Sequence, residues 1–175
     1  MITGAIVDAI VESRIGETFN FYREGDGAGL RRRRLRAYLE SREGVPFLLV
    51  GEAAGYRGAR VSGIPFTSER QLTGTGPAEA TATIVHRVLA ELELEEQVLL
   101  WNVVPTHPGT ESSNRRPSRA EVEAGLPFAR SLAHGRVTIA VGRLAELSLD
   151  APYVRHPSHG GASAFRAELR RLLRL

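Results

Sequence analysis

The chemically capable side chains of this 175-residue chain are five histidines, a few amides and carboxylates next to apolar runs, and an abundance of arginine. His156 and His159 stand in the segment His156-Pro157-Ser158-His159-Gly160-Gly161, while His86, His107 and His134 are scattered. No two histidines are spaced i, i+4 as a helical metal pair requires, and His156 with His159 alone is a thin ligand set. Glu52 opens the glycine-rich stretch Gly51–Gly58, and Asn102 lies within Trp101-Asn102-Val103-Val104-Pro105. An imidazole, an amide and a carboxylate can together donate to a developing anion, read the edge of a polar ring and position a water. Cysteine is absent, which removes disulfides, thiolate zinc sites, cysteine-held iron–sulfur clusters and cysteine nucleophiles. All 23 basic residues are arginine, so Schiff-base lysines and the lysine of a phosphate loop are excluded as well. The net charge of +3 and pI near 9.9 suit phosphate recognition by arginine, although a G+C-rich genome produces the same bias.

Four short runs rich in Val, Leu and Ile have the character of buried parallel strands: Pro46–Val50, Val98–Val104, Arg136–Val141 and Pro152–Arg155. Helical patterns alternate with them at Gly29–Ser41, Pro77–Glu95, Ser118–Leu132, Arg143–Leu149 and Ala162–Leu173. The third begins with a capping box, Ser118 and Glu121. Alternation of this kind predicts a single three-layer α/β domain over residues 1–175, a central four-stranded parallel sheet with helices on both faces. Residues 1–27 read as an N-terminal extension packed on it. Arg31–Arg34 with Arg36 reads as a solvated helix face rather than a nucleic-acid patch. The start of the chain lacks a basic leader and no apolar run approaches the ~20 residues of a membrane span, so a soluble, cytoplasmic protein is expected.

In open parallel sheets ligands bind beyond the carboxyl ends of the strands. The unusual residues gather at those ends. Gly51–Gly58 and the long loop Ala59–Gly76 follow the first strand, and Asn102 with the loop carrying His107, Asn114, Arg115 and Arg116 follows the second. Gly142-Arg143 follows the third, and His156–Gly161 the fourth. One site built from four loops is the expectation.

The motifs G-E-A-A-G at 51–55, G-I-P-F at 63–66, W-N-V-V-P at 101–105 and H-P-S at 156–158 resemble those of the uracil-DNA glycosylase superfamily. The pattern is most similar to the iron–sulfur branch, including its N-R-x-P, here Asn114-Arg115-Arg116-Pro117, but without that branch's cysteines. The likeness runs from about residue 46 to 165 with the order of motifs preserved. It implies a monofunctional DNA-repair hydrolase that flips uracil out of single- or double-stranded DNA, cleaves its N-glycosidic bond and leaves free uracil and an abasic site. No metal or cofactor and no membrane are implied, and a monomer is expected. Phe66 is similar to the aromatic that stacks on the flipped base, and Asn102 to the residue that reads its N3–H and O4. His156 matches the donor to O2. Ser158, Gly142 and Arg143 would touch flanking phosphates through hydroxyl, backbone N–H and guanidinium, with Arg115, Arg116, Arg155 and His159 along the same DNA-facing track.

The sequence departs from the pattern at three places. The aspartate that orients water in the best-known branch is Ala53 here, which leaves Glu52 and Asn102 as the nearby groups, Glu52 first. The tyrosine that blocks the thymine methyl is Gly55, with Tyr56 one residue later as the substitute at the base site. The wedge leucine is replaced by His159-Gly160-Gly161. The missing aspartate keeps a second reading open: a non-catalytic or weakly catalytic module that binds uracil or damaged bases in DNA. A nucleotide-phosphate loop at Gly51–Gly58 is disfavoured by the absent G-x-G-x-x-G and lysine.

Overall fold

The computed structural model describes residues 2–174, so Met1 and Leu175 of the expected 1–175 domain lie outside the described residues. Four strands, β1 (Phe47–Ala53), β2 (Val98–Val104), β3 (Val137–Val141) and β4 (Tyr153–Val154), form one parallel sheet in the order β2-β1-β3-β4. Around it lie α1 (Ile2–Glu12), α2 (Ala28–Ser41), α3 (Ala59–Ser62), α4 (Glu69–Thr73), α5 (Ala80–Glu91), α6 (Arg119–Ala133), α7 (Arg143–Leu149) and α8 (Ala162–Leu173). Among the described residues, no helix is long and apolar enough to cross a membrane.

The strands are buried on both faces, which is why they read as near-continuous apolar runs. Leu48, Val50, Leu99, Trp101, Val103 and Ala140 pack with α1, α2, α6 and α7. On the other face Leu49, Val98, Leu100, Ile139, Val141 and Val154 pack with Val85, Val88 and Leu89 of α5 and Phe165 and Leu169 of α8. The helices on both faces and the parallel sheet are those expected from the alternating pattern.

Element ends differ where side chains from elsewhere intervene. β1 continues to Ala53 because Gly51 and Ala53 pair with Asn102 and Val104 of β2, so the G-E-A sequence starts inside the sheet. α5 is shorter than Pro77–Glu95: Glu79 caps it, and Glu93, at φ 58°, turns the chain so that Leu94 enters the core. The Ala59–Gly76 loop contains the two short helices α3 and α4. The N-terminal segment supplies α1, whose Ile6, Val7 and Ile10, spaced along one helical face, are buried in the same cluster as Trp101.

The arginine run is not a merely solvated face. Its guanidiniums bind backbone carbonyls and acids of three other segments: Arg31 donates to Phe21 O and Glu24 O, Arg32 to Tyr22 O, and Arg36 to Asp8. Arg34 donates to Ser62 O and makes a two-pronged pair with Glu69, at 2.8 and 2.9 Å. The run therefore ties the N-terminal segment and the Ala59–Gly76 loop to α2.

A second tie joins the loop after β2 to α6. Ser118 Oγ accepts from Glu121 N–H (3.3 Å) and the Glu121 carboxylate accepts from Ser118 N–H (2.8 Å), as the capping box predicts. That carboxylate, 2% exposed, also takes two bonds from Arg115 and one from the N–H of Glu17. Arg115 and these donors hold its acid group down, at about 2 against an ordinary 4.5. Because the folded-state value is lowered, the stabilisation is complete above the ordinary value and is lost as pH falls through the interval between the two. Glu121→Ala is expected to cost about 1–3 kcal/mol in chemical denaturation at neutral pH, since it leaves the N–H groups of Ser118 and Glu17 without their acceptor, while the half-exposed Arg115 returns to water. Glu121→Gln should flatten the acid limb of the stability curve. A loss within experimental error at pH 7 would show that the network contributes nothing to the fold.

Candidate active site

A cavity of about 140 Å³ opens at the carboxyl ends of the strands, lined by Glu52, Ala53, Gly55, Ala59, Phe66, Glu79, Thr81, Asn102, Asn114 and His156. It is smaller than the roughly 300–1,000 Å³ of sites for drug-sized ligands, and so suits one small ring. A larger cleft of about 260 Å³ lies where the strands begin, walled by Ile6, Leu39, Val45, Leu99 and Leu132. Glu43, His134 and Arg136 also line it, and it shares no residue with the cavity that holds Asn102 and His156.

The side chains of the smaller cavity are delivered by several elements. Asn102 is in β2, in register with Gly51 of β1, and is only 4% exposed. Among the described residues nothing hydrogen-bonds its amide. Its amide atoms are therefore open to the cavity, with one acceptor and one donor group not used by the protein. The Phe66 ring lies directly over Gly51: a Cβ there would overlap the ring, and would meet Asn102 Oδ1 at 3.1 Å. Glycine at 51 is thus what lets the ring and the amide converge.

Phe66 sits at φ 52°, a conformation that non-glycine residues rarely adopt and that its surroundings must enforce. The enforcement is visible. Ser62 Oγ donates within its own turn to Thr67 O (2.6 Å) and accepts from Ile64 N–H, and Tyr22 Oη donates to Gly63 O (3.0 Å). Arg34 holds Ser62 O, and His86 of α5 bonds Thr67 Oγ1 at 3.1 Å. Burial pushes the His86 imidazole below its usual value, which keeps the ring neutral. The arginine run and the N-terminal segment therefore serve the site indirectly, by locking the loop that presents Phe66.

His156 follows β4. Its Nδ1 accepts from the Ser158 backbone N–H (3.2 Å) and lies 2.7 Å from Ser158 Oγ. With Nδ1 an acceptor, the neutral ring carries its proton on Nε2, the nitrogen left for the cavity. Burial, with His159 beside it, pushes His156 below the usual histidine range, favouring that neutral form. Ser158 Oγ also lies 3.0 Å from His159 Nδ1, so the hydroxyl is engaged by two imidazoles rather than held free for a phosphate.

Burial pushes the Glu52 carboxyl up, and the charge of Arg116 partly offsets this. Ala53 lines the cavity without functional atoms. Tyr56 is not among the lining residues: Asn114 Oδ1 holds its backbone N–H at 2.9 Å, and Arg57 covers its ring at 5.3 Å. The sequence offered it as the substitute at the base site, but the turn faces it elsewhere. Several presumed phosphate contacts are also engaged. Gly142 N–H donates to Val154 O (3.0 Å) and extends the sheet. Arg143 pairs with Glu146 (2.6 Å) and stacks on Tyr153, and Arg115 is committed to Glu121. Arg116 and Arg155 are exposed and have no ion pair among the described residues. Among the described residues, no group of three or more His, Asp or Glu is placed to hold a metal ion.

Sequence reasoning missed Glu79, which lies in no motif yet enters the cavity from the start of α5. It also missed Thr81 and Asn114 as lining residues.

The sequence profile described as the Uracil DNA glycosylase superfamily matches residues 40–171. No curated protein matches the chain. Among solved structures, the crystal structure of wild-type Pedobacter heparinus SMUG2 superposes with a TM-score of 0.68 over 99% of both chains, at 12% identity. At that identity the likeness bears on the fold.

Proposed function

The chain belongs to the uracil-DNA glycosylase superfamily, and from that premise we propose that it is a monofunctional glycosylase that removes uracil from DNA and leaves an abasic site. The family is one of DNA-repair glycosylases; the choice of uracil rests on the cavity. The observation that carries it is the Asn102 amide, without a hydrogen-bond partner among the described residues and lining one cavity with the Phe66 ring, whose edge meets it over Gly51. An amide offers one acceptor for uracil N3–H and one donor for O4, and the ring supplies the stacking surface that replaces the neighbouring bases.

In the proposed reaction the C1′–N1 bond breaks and its electron pair leaves with the base as the uracil anion. The Nε2–H of His156 donates to O2, where that charge gathers. One such preorganised donor is worth about 3 kcal/mol in the transition state. Water then adds to the oxocarbenium-like C1′, and its proton passes to a pocket carboxylate or to solvent. Glu52, at the end of β1 with its carboxyl raised by burial, is the group we assign to that water. Arg116 and Arg155, with Arg143 once it is released from Glu146, are the guanidiniums assigned to phosphate.

An end-labelled oligonucleotide holding one uracil, treated with protein and then alkali, tests the function. A break at the uracil position on single- or double-stranded substrate is the expected result. Tight binding with no break would instead support the non-catalytic module that the missing aspartate at Ala53 keeps in view.

A further inference from the structure

Glu79 is the N-cap of α5, but its side chain does not cap the helix. Only its carbonyl is used, by the N–H and hydroxyl of Thr83. The carboxylate instead reaches back across the cavity to the turn after β1. A Cβ on Gly55 would overlap its Oε1, and one on Gly58 would overlap its Oε2. No hydrogen bond and no ion pair reaches the carboxylate among the described residues, and it shares the cavity wall with Phe66, Asn102 and His156.

Gly55 lies outside the left-handed region, so its backbone does not require glycine. What requires glycine there is the Glu79 carboxylate. The two positions are alternatives for one volume: a side chain projected from 55, or the carboxylate delivered from α5.

We propose that Glu79 sets the base choice, its carboxyl filling the volume in front of Gly55 and closing the pocket against pyrimidines that carry a methyl group at C5. The proposal rests on the uracil-excising reading above and adds to it the wall on the C5 side. Position 55 is where the best-known branch of the superfamily carries a methyl-blocking tyrosine, and Tyr56 is turned away by Asn114 and Arg57. Glu79 is the side chain that occupies the vacated space. Burial without a neighbouring cation raises its carboxyl, so that it approaches the neutral form, which repels a departing base anion least.

The test is the ratio of thymine to uracil excision, opposite guanine, under single-turnover conditions. Glu79→Ala should raise that ratio about 10–200-fold, the range that one methylene's fit in a pocket commands. Glu79→Gln, of the same shape, should keep the wild-type ratio. Adding Gly55→Tyr to Glu79→Ala should lower the ratio again, because the tyrosine then has the room the carboxylate gave up. Should Glu79→Ala fold poorly, the wild-type protein answers alone on 5-fluoro-, 5-bromo- and 5-methyluracil. Excision that falls with substituent size supports the proposal, and excision that follows leaving-group acidity overturns it. A wild-type protein that cuts uracil while the Glu79→Ala ratio stays unchanged overturns this proposal alone. A wild-type protein inert on uracil overturns the functional reading and this proposal with it.

Discussion

His156→Ala is expected to lower the single-turnover rate of uracil excision by about 10²–10³-fold, the loss seen when one preorganised donor is removed from a site of developing negative charge. Binding of uracil DNA should change far less, because phosphate contacts dominate affinity and none depends on this imidazole. The same residue is expected to shape the acid side of the rate profile. Burial lowers its folded-state value, so the unfolded chain takes up a proton first as pH falls. The neutral ring's contribution to stability is therefore complete above the ordinary histidine value of 6.5 and is lost as pH drops through the lowered one. Protonation also puts a hydrogen on Nδ1, opposite the Ser158 N–H that now donates to it, and the ring loses the bond that aims Nε2. Excision by the wild-type protein should fall on that limb, and the residual activity of His156→Ala should lack it. Equal losses in rate and in binding would make His156 a binding residue and remove it from the chemistry.

The sheet was legible because its strands are buried on both faces, which leaves an apolar signature that no other local structure shares at that length. β2, α7 and α8 have the predicted limits because Pro, Gly and the ends of the apolar runs coincide there. The placement of Asn102, Phe66 and His156 in one cavity was legible for a different reason: strand ends of a parallel sheet point to one side, so residues just past them must converge. What was illegible depends on side chains reaching across the chain. Nothing local to Arg31–Arg34 announces that Arg34 will hold Ser62 and Glu69, or that Tyr22 will brace Gly63. Gly142 looked like a phosphate-binding turn, but its N–H is taken by Val154 in the adjoining strand. Glu79 had a faint signal in the sequence, a glycine at 55 where a large residue would be expected. The group filling that space lies 24 positions away on α5, and only the folded chain shows the two together.

Asn102→Asp is expected to have the largest effect, opening the base choice of the pocket to cytosine. In the proposed reading the wild-type amide would accept from uracil N3–H and donate to O4; cytosine presents the reverse, an acceptor at N3 and an amino donor at C4. An aspartate here would be buried among Glu52, Glu79 and the Phe66 ring, with no cation in the cavity lining. Burial and like charge both favour its neutral form. A neutral carboxyl can carry its hydrogen on either oxygen, so it can donate to cytosine N3 and accept from the amino group, or pair with uracil as the amide does, whereas the amide, with its acceptor and donor fixed, matches uracil alone. Sites that leave buried polar groups unpaired reject the wrong partner by about 10⁴–10⁵-fold; the carboxyl gives up the amide's rejection of cytosine, so the ratio of uracil to cytosine excision should fall by roughly four orders of magnitude, towards parity. Because that carboxyl must be neutral, cytosine excision by Asn102→Asp should decline as pH rises, unlike uracil excision by the wild-type protein. Asn102→Ala serves as the control and should lose uracil excision without gaining cytosine. A panel of oligonucleotides with uracil or cytosine opposite guanine decides the matter. If Asn102→Asp keeps the wild-type preference, the base is read by another group, and the unpaired amide at the cavity floor needs a different ligand.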